Sequence, residues 1–333
     1  MRVSVICPVF NTRPEELRAA ADSVLGQQGG GVNELILVDD CSTAPGTLAM
    51  LDAFGREKGR IVVLRSASNA GPAAARNRGL DQASGDWVGF LDADDLWPAD
   101  KVALASLALA QCPDSQWIIG DFANLGRDGP GDARPSAPCF DPSKPPGERQ
   151  SSPALTRCII LDGLHLGACL IRRTRLQAHR FDPAVLYGED LLFLAKLSLS
   201  TPANRAPGLS YLCRRQHESM MYSVSRLSPR FASGLRAGRQ DRLLRGFRRE
   251  YRWALYDVYK DLAVNNLANR RPWVGLQFAI RALCLDPREI RAMARFLALM
   301  PNRDRADVAL RAKRYTKREV VLFNLDGTLD RVG

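Results

Sequence analysis

Histidine is scarce in this 333-residue chain, with three in all. The eight cysteines, at 7, 41, 112, 139, 158, 169, 213 and 284, are scattered, with no C-x-x-C pair and no short Cys/His spacing. The spacing therefore argues against a zinc site. Thiols such as Cys7 and Cys169, set inside apolar runs, read as reduced and buried, the state expected of a cytosolic protein. No window reaches the roughly 18 uncharged apolar residues of a membrane span. The opening run MRVSVICPVFN is too short for a signal-peptide core and lacks a cleavage site. Neither G-x-G-x-x-G nor G-x-x-x-x-G-K-[ST] occurs, which removes the dinucleotide fingerprint and the P-loop.

What is present is ordinary globular composition, 46% hydrophobic and 25% charged. That is enough for one large α/β domain with an appendage, or for two domains. The net charge of +11 is uneven. Residues 1–225 carry 23 Lys/Arg against 25 Asp/Glu, whereas residues 226–319 carry 23 against 9. A basic partner surface, if the chain has one, belongs to the C-terminal third.

Over the first 125 residues, apolar β-branched runs at 3–9, 34–38, 61–64, 87–91 and 117–119 alternate with stretches of helical spacing. In 14–28, Leu17, Ala21, Val24 and Leu25 recur on one face. Thr12 with Glu15 reads as a capping box, and Pro14 fits the first turn. Such alternation predicts an α/β fold, a mainly parallel sheet with helices on both faces. Residues 126–153, rich in Pro, Gly and Ser, read as a loop. A helix is expected over Glu189–Leu199, a strand over 208–213, and helices over 272–285 and 288–299.

Ligands of such sheets bind beyond the carboxyl ends of the strands. The residues following each run are Pro8-Val9-Phe10-Asn11, Asp39-Asp40-Cys41-Ser42, Asn69-Ala70-Gly71-Pro72 with Arg76 and Asn77, and Asp92-Ala93-Asp94-Asp95. Three carboxylates within four residues repel one another unless something neutralises them. A divalent cation does so directly, and hard oxygens suit Mg²⁺ or Mn²⁺ with a substrate diphosphate. The plain alternative is a capped turn, with Asp95 capping a helix begun at Trp97-Pro98. Asp39 can accept from the imide N–H of uracil or thymine, and Arg76 suits diphosphate oxygens or a base edge.

The runs VSVICPVFN, ELILVDDCS, NAGPAAARNRGL and WVGFLDADD, in this order and spacing, resemble the family 2 glycosyltransferases of the GT-A fold. YGEDLLF at 187–193 and LCRRQHESMMYS at 212–223 agree with that family's later segments. The resemblance covers about residues 2–220 and implies a nucleotide-binding sheet and an inverting, metal-dependent sugar transferase. Pro8, Val9 and Asn11 would line the nucleoside pocket, and Asp39, with Asp40 beside it, would hold a UDP- or dTDP-type base. Gly71, Arg76 and Asn77 would contact the base and ribose region. Asp92 would lie near the ribose and Asp94 nearest a Mn²⁺ or Mg²⁺ ion, with His217 facing the metal or diphosphate. Asp190 would be the catalytic base, with Glu189 beside it. The helix start at Asp190 is expected to keep it anionic at neutral pH. The acceptor would be a glycan or lipid-linked hydroxyl. The alternative is a nucleotide-sugar or glycan binder that keeps the fold without catalysis, against which the intact carboxylates argue. A nucleotidyltransferase would want a Gly-rich phosphate loop after the first strand, and PVFN is not one.

These readings divide the chain into a GT-A domain over 1–225, an Arg-rich helical extension over 226–319 and a strand-like tail over 320–333. The extension suits an anionic membrane surface and a cytoplasmic, peripheral location at the inner face of the membrane; it carries no nucleic-acid-binding motif. The tail REVVLFNLDGTLDRVG resembles a truncated first motif of haloacid-dehalogenase phosphatases. Asn324 stands where that motif needs its nucleophilic Asp, so no phosphatase activity is expected.

Overall fold

The structure, a computed structural model, describes residues 1–57, 59–126, 129–130, 140, 147–214, 232–268, 272–287, 322–323 and 329–330. The chain divides into two units, one of Met1–Val224 with Ala232–Tyr251, the other of Ser225–Phe231 with Arg252–Gly333.

The first unit is built on one sheet. Strands β1 (Val3–Val9), β2 (Val32–Asp39), β3 (Ile61–Arg65) and β4 (Trp87–Phe90) alternate with helices α1 (Pro14–Leu25), α2 (Pro45–Arg56) and α3 (Gly71–Gln82). They run parallel in the order β3-β2-β1-β4. Chain order reverses between β1 and β4, and that point opens a crevice at the carboxyl ends. Helix α4 (Lys101–Gln111) follows, then β5 (Trp117–Gly126), the short strands β6 (Gly129–Pro130) and β7 (Arg149–Gln150), and helix α5 (Ala154–Asp162). Next come β8 (Cys169–Arg172), α6 (Arg173–Leu176), α7 (Glu189–Ser198) and β9 (Ala203–Arg214). β8 is antiparallel to both β4 and β5, and β5 runs parallel to β9, so the mainly parallel sheet continues past one reversed strand.

Strand β1 is buried along almost its whole length, as expected of a central strand covered on both faces. Gly79 lets α3 lie close on it, since a Cβ there would stand 2.4 Å from Ile6 Cγ2. Each fully buried apolar side chain contributes about 1.5–3 kcal/mol, and this core carries the rim.

Some sequence expectations are corrected. α1 begins at Pro14 with Arg13 as N-cap and no side-chain cap bond, so Thr12 and Glu15 do not form a capping box. Instead, the Thr12 carbonyl accepts the Thr47 hydroxyl at 2.7 Å. β5 and β9 run well beyond 117–119 and 208–213, because each satisfies the other's backbone along its length. The helix expected over 288–299 lies outside the described residues.

The second unit contains most of the helix Arg248–Ala268 and the helix Pro272–Leu285. Tyr259 stacks on Phe278 at 6.2 Å between centroids. In the tail, Leu322–Phe323 pairs antiparallel with Leu329–Asp330, while Asn324 and Asp326-Gly327-Thr328 lie outside the described residues.

Candidate active site

The acidic turn leaves β4 immediately after Leu91, whose N–H donates to the Ile6 carbonyl at 3.0 Å. It closes when Asp95 N–H donates to the Asp92 carbonyl at 3.0 Å. Trp97 folds back beneath β4, donates Nε1–H to the Phe90 carbonyl at 3.2 Å and fills the space over Gly89. A Cβ at Gly89 would meet the indole at 2.5 Å.

Asp95 does not cap a helix at Trp97-Pro98, because α4 begins only at Lys101. Its carboxylate turns inward and accepts the Tyr211 hydroxyl at 2.8 Å and the Arg214 backbone N–H at 2.6 Å. The same Tyr211 oxygen accepts the Asp92 backbone N–H at 3.1 Å. One tyrosine on β9 thus holds both ends of the turn. The carboxylates divide accordingly, with Asp95 buried and Asp92 and Asp94 partly exposed. Burial and then the charge of Asp92 push the Asp94 carboxyl up to about 6. Burial, then Asp92 and Asp94, raise Asp95 as well.

Arg76 on α3 joins this turn to α7. Its guanidinium donates to Asp92 Oδ1 at 2.9 Å and to Glu189 Oε1 at 2.7 Å. Arg76 and Glu189 are both buried, at 7% exposure each, whereas the Asp92 side chain is 46% exposed. Burial pulls the Arg76 pKa down, but the carboxylates of Asp92, Glu189 and Asp190 more than offset it, and the cation is reinforced. Asn77 spends both ends of its amide on Phe181, donating to the carbonyl at 2.8 Å and accepting the N–H at 2.9 Å. Phe181 in turn stacks on Phe193 of α7 at 4.0 Å and meets Phe90 of β4 edge-on at 5.5 Å.

α7 starts at Glu189, after Gly188 in the left-handed region at φ 74°. Asp190 is in its first turn, yet its burial opposes the charged form that the helix end favours. Burial first, then the neighbouring Glu189 charge, push its carboxyl up to about 7, with Arg76 and the Leu191 N–H opposing.

On the other side of the crevice, Pro8 and Val9 end β1, and Val9 pairs with Asp39. Asn11 adopts φ 50°, and its Oδ1 accepts the N–H groups of Thr43 and Ala44, both at 2.8 Å. Asp39 accepts the Ser42 N–H at 2.9 Å. Asp40 spends both oxygens on α3, taking the Ala70 N–H at 2.9 Å and the Gly71 N–H at 2.7 Å, with Gly71 at φ 84°. Asn11 and Asp40 therefore shape the rim loops. His217 lies outside the described residues.

Three residues not singled out from the sequence converge under the turn. Tyr211 is one. Lys101 is buried, donates Nζ–H to the Gly167 carbonyl at 2.5 Å and lies 3.9 Å from the Trp97 ring centre; burial lowers its pKa to about 7. The His165 ring packs 4.3 Å from that of Tyr211 and 5.4 Å from that of Phe122. A signal for it existed, since one of only three histidines sits inside the apolar stretch LDGLHLGACL.

Comparison with known proteins gives a consistent picture. The family model described as glycosyl transferase family 2 matches residues 4–127. Over 100 residues the chain is 43% identical to a putative teichuronic acid biosynthesis glycosyltransferase, TuaG, of Bacillus subtilis, covering 30% of this chain and 38% of that one. Over 238 residues it is 29% identical to the succinoglycan biosynthesis protein ExoW of Rhizobium meliloti, covering 69% of this chain and 74% of that one. The chain thus spans well under half the length of the first of these curated relatives. Among solved structures, S. aureus TarS 1-349 in complex with UDP-GlcNAc superposes with a TM-score of 0.59 at 18% identity, over 99% of this chain and 96% of that one. At that identity the likeness shows the fold.

Proposed function

The chain carries a glycosyl transferase family 2 domain, and on that premise we propose that it is an inverting glycosyltransferase. It moves a sugar from a nucleoside-diphosphate sugar to a hydroxyl of a glycan or lipid-linked acceptor. The observation that carries this reading is the arrangement of carboxylates around Arg76. That side chain bridges Asp92, on the acidic turn, and Glu189, next to Asp190 on α7. A donor side and an acceptor side are thereby tied through one buried cation.

In this reading Asp190 takes the proton from the acceptor hydroxyl as the oxygen attacks the anomeric carbon. A base poised near neutral pH, as Asp190 is, suits that role. A single displacement inverts the centre. Asp39, buried at the end of β2, accepts the imide N–H of a uracil or thymine base. The naming of two relatives for polysaccharide biosynthesis, and a structural neighbour solved with UDP-GlcNAc, support the substrate class.

The acidic turn fits a hard divalent cation. Asp92 and Asp94 offer oxygen donors, and a like-charge neighbour helps to raise Asp94 above an ordinary carboxyl. Asp94 and Asp92, with His217, would hold Mn²⁺ or Mg²⁺, which when bound offsets charge on the departing diphosphate. Replacing Asp94 by Ala should weaken Mn²⁺-dependent binding of uridine diphosphate by at least about tenfold, or 1.4 kcal/mol, without unfolding the chain. Calorimetric titration with and without Mn²⁺ measures this, and an unchanged affinity would remove Asp94 from the metal role.

The basic region 226–319 is proposed to meet an anionic membrane surface from the cytoplasmic side. Among the described residues no helix is long and apolar enough to cross a membrane. The helix Pro272–Leu285, however, exposes Trp273, Leu276 and Ile280 at spacings of three and four. The protein should co-sediment with phosphatidylglycerol vesicles at low salt and be released at high salt, while ignoring phosphatidylcholine. Equal partition onto both vesicles, or onto neither, would dismiss this surface.

A further inference from the structure

Below the acidic turn lies a second group of donor atoms, of different chemistry. Asp95, His165 and Cys213 each present one ligand atom, all within 4.8 Å of one another. The three come from separate places in the chain. Asp95 is on the turn after β4, His165 is between α5 and β8, and Cys213 is on β9. Their separation is why ligand spacing in the sequence gave no sign of them. We infer that these three side chains form a cation site for a borderline-soft divalent ion of the zinc class, distinct from the hard-oxygen pair Asp92 and Asp94.

The donor set supports that class. One carboxylate oxygen, one imidazole nitrogen and one sulfur suit zinc-type ions, and three protein ligands leave a fourth position open. The surroundings are also those of a held site. The Asp95 carboxylate is fixed by the Tyr211 hydroxyl and the Arg214 N–H, which leave lone pairs on both oxygens. Such outer partners orient ligands. Tyr211 and Cys213 are two apart on β9 and so point to one face, and the His165 ring lies against Tyr211. A bridge between Leu96 and Leu212 clamps the turn to the strand at the same level.

An independent observation points to a ligand. Among the described residues, His165 Nδ1 is buried and has no hydrogen-bond partner. Buried polar atoms are rarely left so, and an ion or water commonly accounts for them. His165 and Cys213 retain partial exposure, which gives an entry path. Metal–ligand distances of about 2.0–2.3 Å place tetrahedral ligands roughly 3.3–3.8 Å apart, so binding needs a contraction of about 1 Å, within reach of side-chain motion.

Cobalt(II) is the probe, because a thiolate ligand gives it a near-ultraviolet charge-transfer band that oxygen ligands do not. Added to the reduced full chain, it should give that band, saturating at one ion per chain and displaced by Zn²⁺. Cys213→Ser should abolish it. His165→Gln should weaken binding by more than the ten- to hundred-fold, roughly, that follows loss of an outer partner. Asp94→Asn should keep it. A chain without the band, a band that survives Cys213→Ser, or one lost with Asp94→Asn overturns the assignment. A second measurement needs no variant: alkylation of Cys213 in the wild-type chain, followed by peptide mass spectrometry. Zn²⁺ should slow it at least about tenfold, and an unchanged rate would likewise overturn the site.

Discussion

Asp190→Asn should stop sugar transfer while donor binding persists. Loss of a positioned general base costs about 10²–10⁴-fold in turnover. Nothing in the rim loops that would hold the nucleoside depends on Asp190, since Asp40 and Asn11 bond to α3 and to the start of α2. In the wild-type chain the base is competent when deprotonated. kcat/KM should therefore fall on the acid side with a midpoint near the Asp190 value of about 7 and level off above it. The same carboxyl bears on stability with a definite sign. Raised from 3.8 to about 7, it keeps a proton in the folded chain that the unfolded chain has released across that window. Its contribution to folding therefore weakens as pH rises from about 4 to about 7. Asn has no proton to lose, so the variant should show a flatter dependence and melt no lower than wild type at pH 8. Nucleoside diphosphate release, calorimetry and melting curves across pH measure the three parts. A variant that turns over within tenfold of wild type would remove Asp190 as the base.

The rim of the crevice was legible because its residues follow directly on strands. Apolar β-branched runs mark β1 to β4, and what comes next in the chain must sit at their carboxyl ends. Elements closed by distant partners were not legible. Asp95 looked like a helix cap because its partners, Tyr211 and the Arg214 N–H, lie more than a hundred residues away. The Arg76–Glu189 pair spans 113 residues, and neither residue type announces burial. The Asn77 amide matches the backbone of Phe181, more than a hundred residues away, and Phe181 in turn stacks on Phe193. The raised Asp190 pKa is hidden from the sequence for a related reason. A helix end can be read from the sequence, whereas desolvation and the Glu189 charge depend on what packs around the turn.

Arg76→Met should be the most destabilising single change at the site. It strands Glu189, which is buried beside Asp190 with its cation gone. Removing one partner of a buried pair costs about 3–5 kcal/mol, chiefly because the remaining charge is left uncompensated. The contact to Asp92 adds little, since Asp92 is nearly half exposed and water screens it. Urea unfolding should show the loss as a lower midpoint. Arg76→Lys should recover only part of it, because one ammonium cannot reproduce a fork that reaches two carboxylates. Adding Glu189→Gln to Arg76→Met removes the stranded charge and should restore much of the midpoint, a non-additivity that a double-mutant cycle reads directly. Catalysis should respond separately. Arg76 lowers the Asp190 pKa, so its loss moves the base further up, and the acid limb of kcat/KM should shift to higher pH. Simple loss of fold would lower activity at every pH without moving that limb. If Arg76→Met unfolds within about 1 kcal/mol of wild type and leaves the limb in place, the buried pair is no strut between the two halves of the crevice.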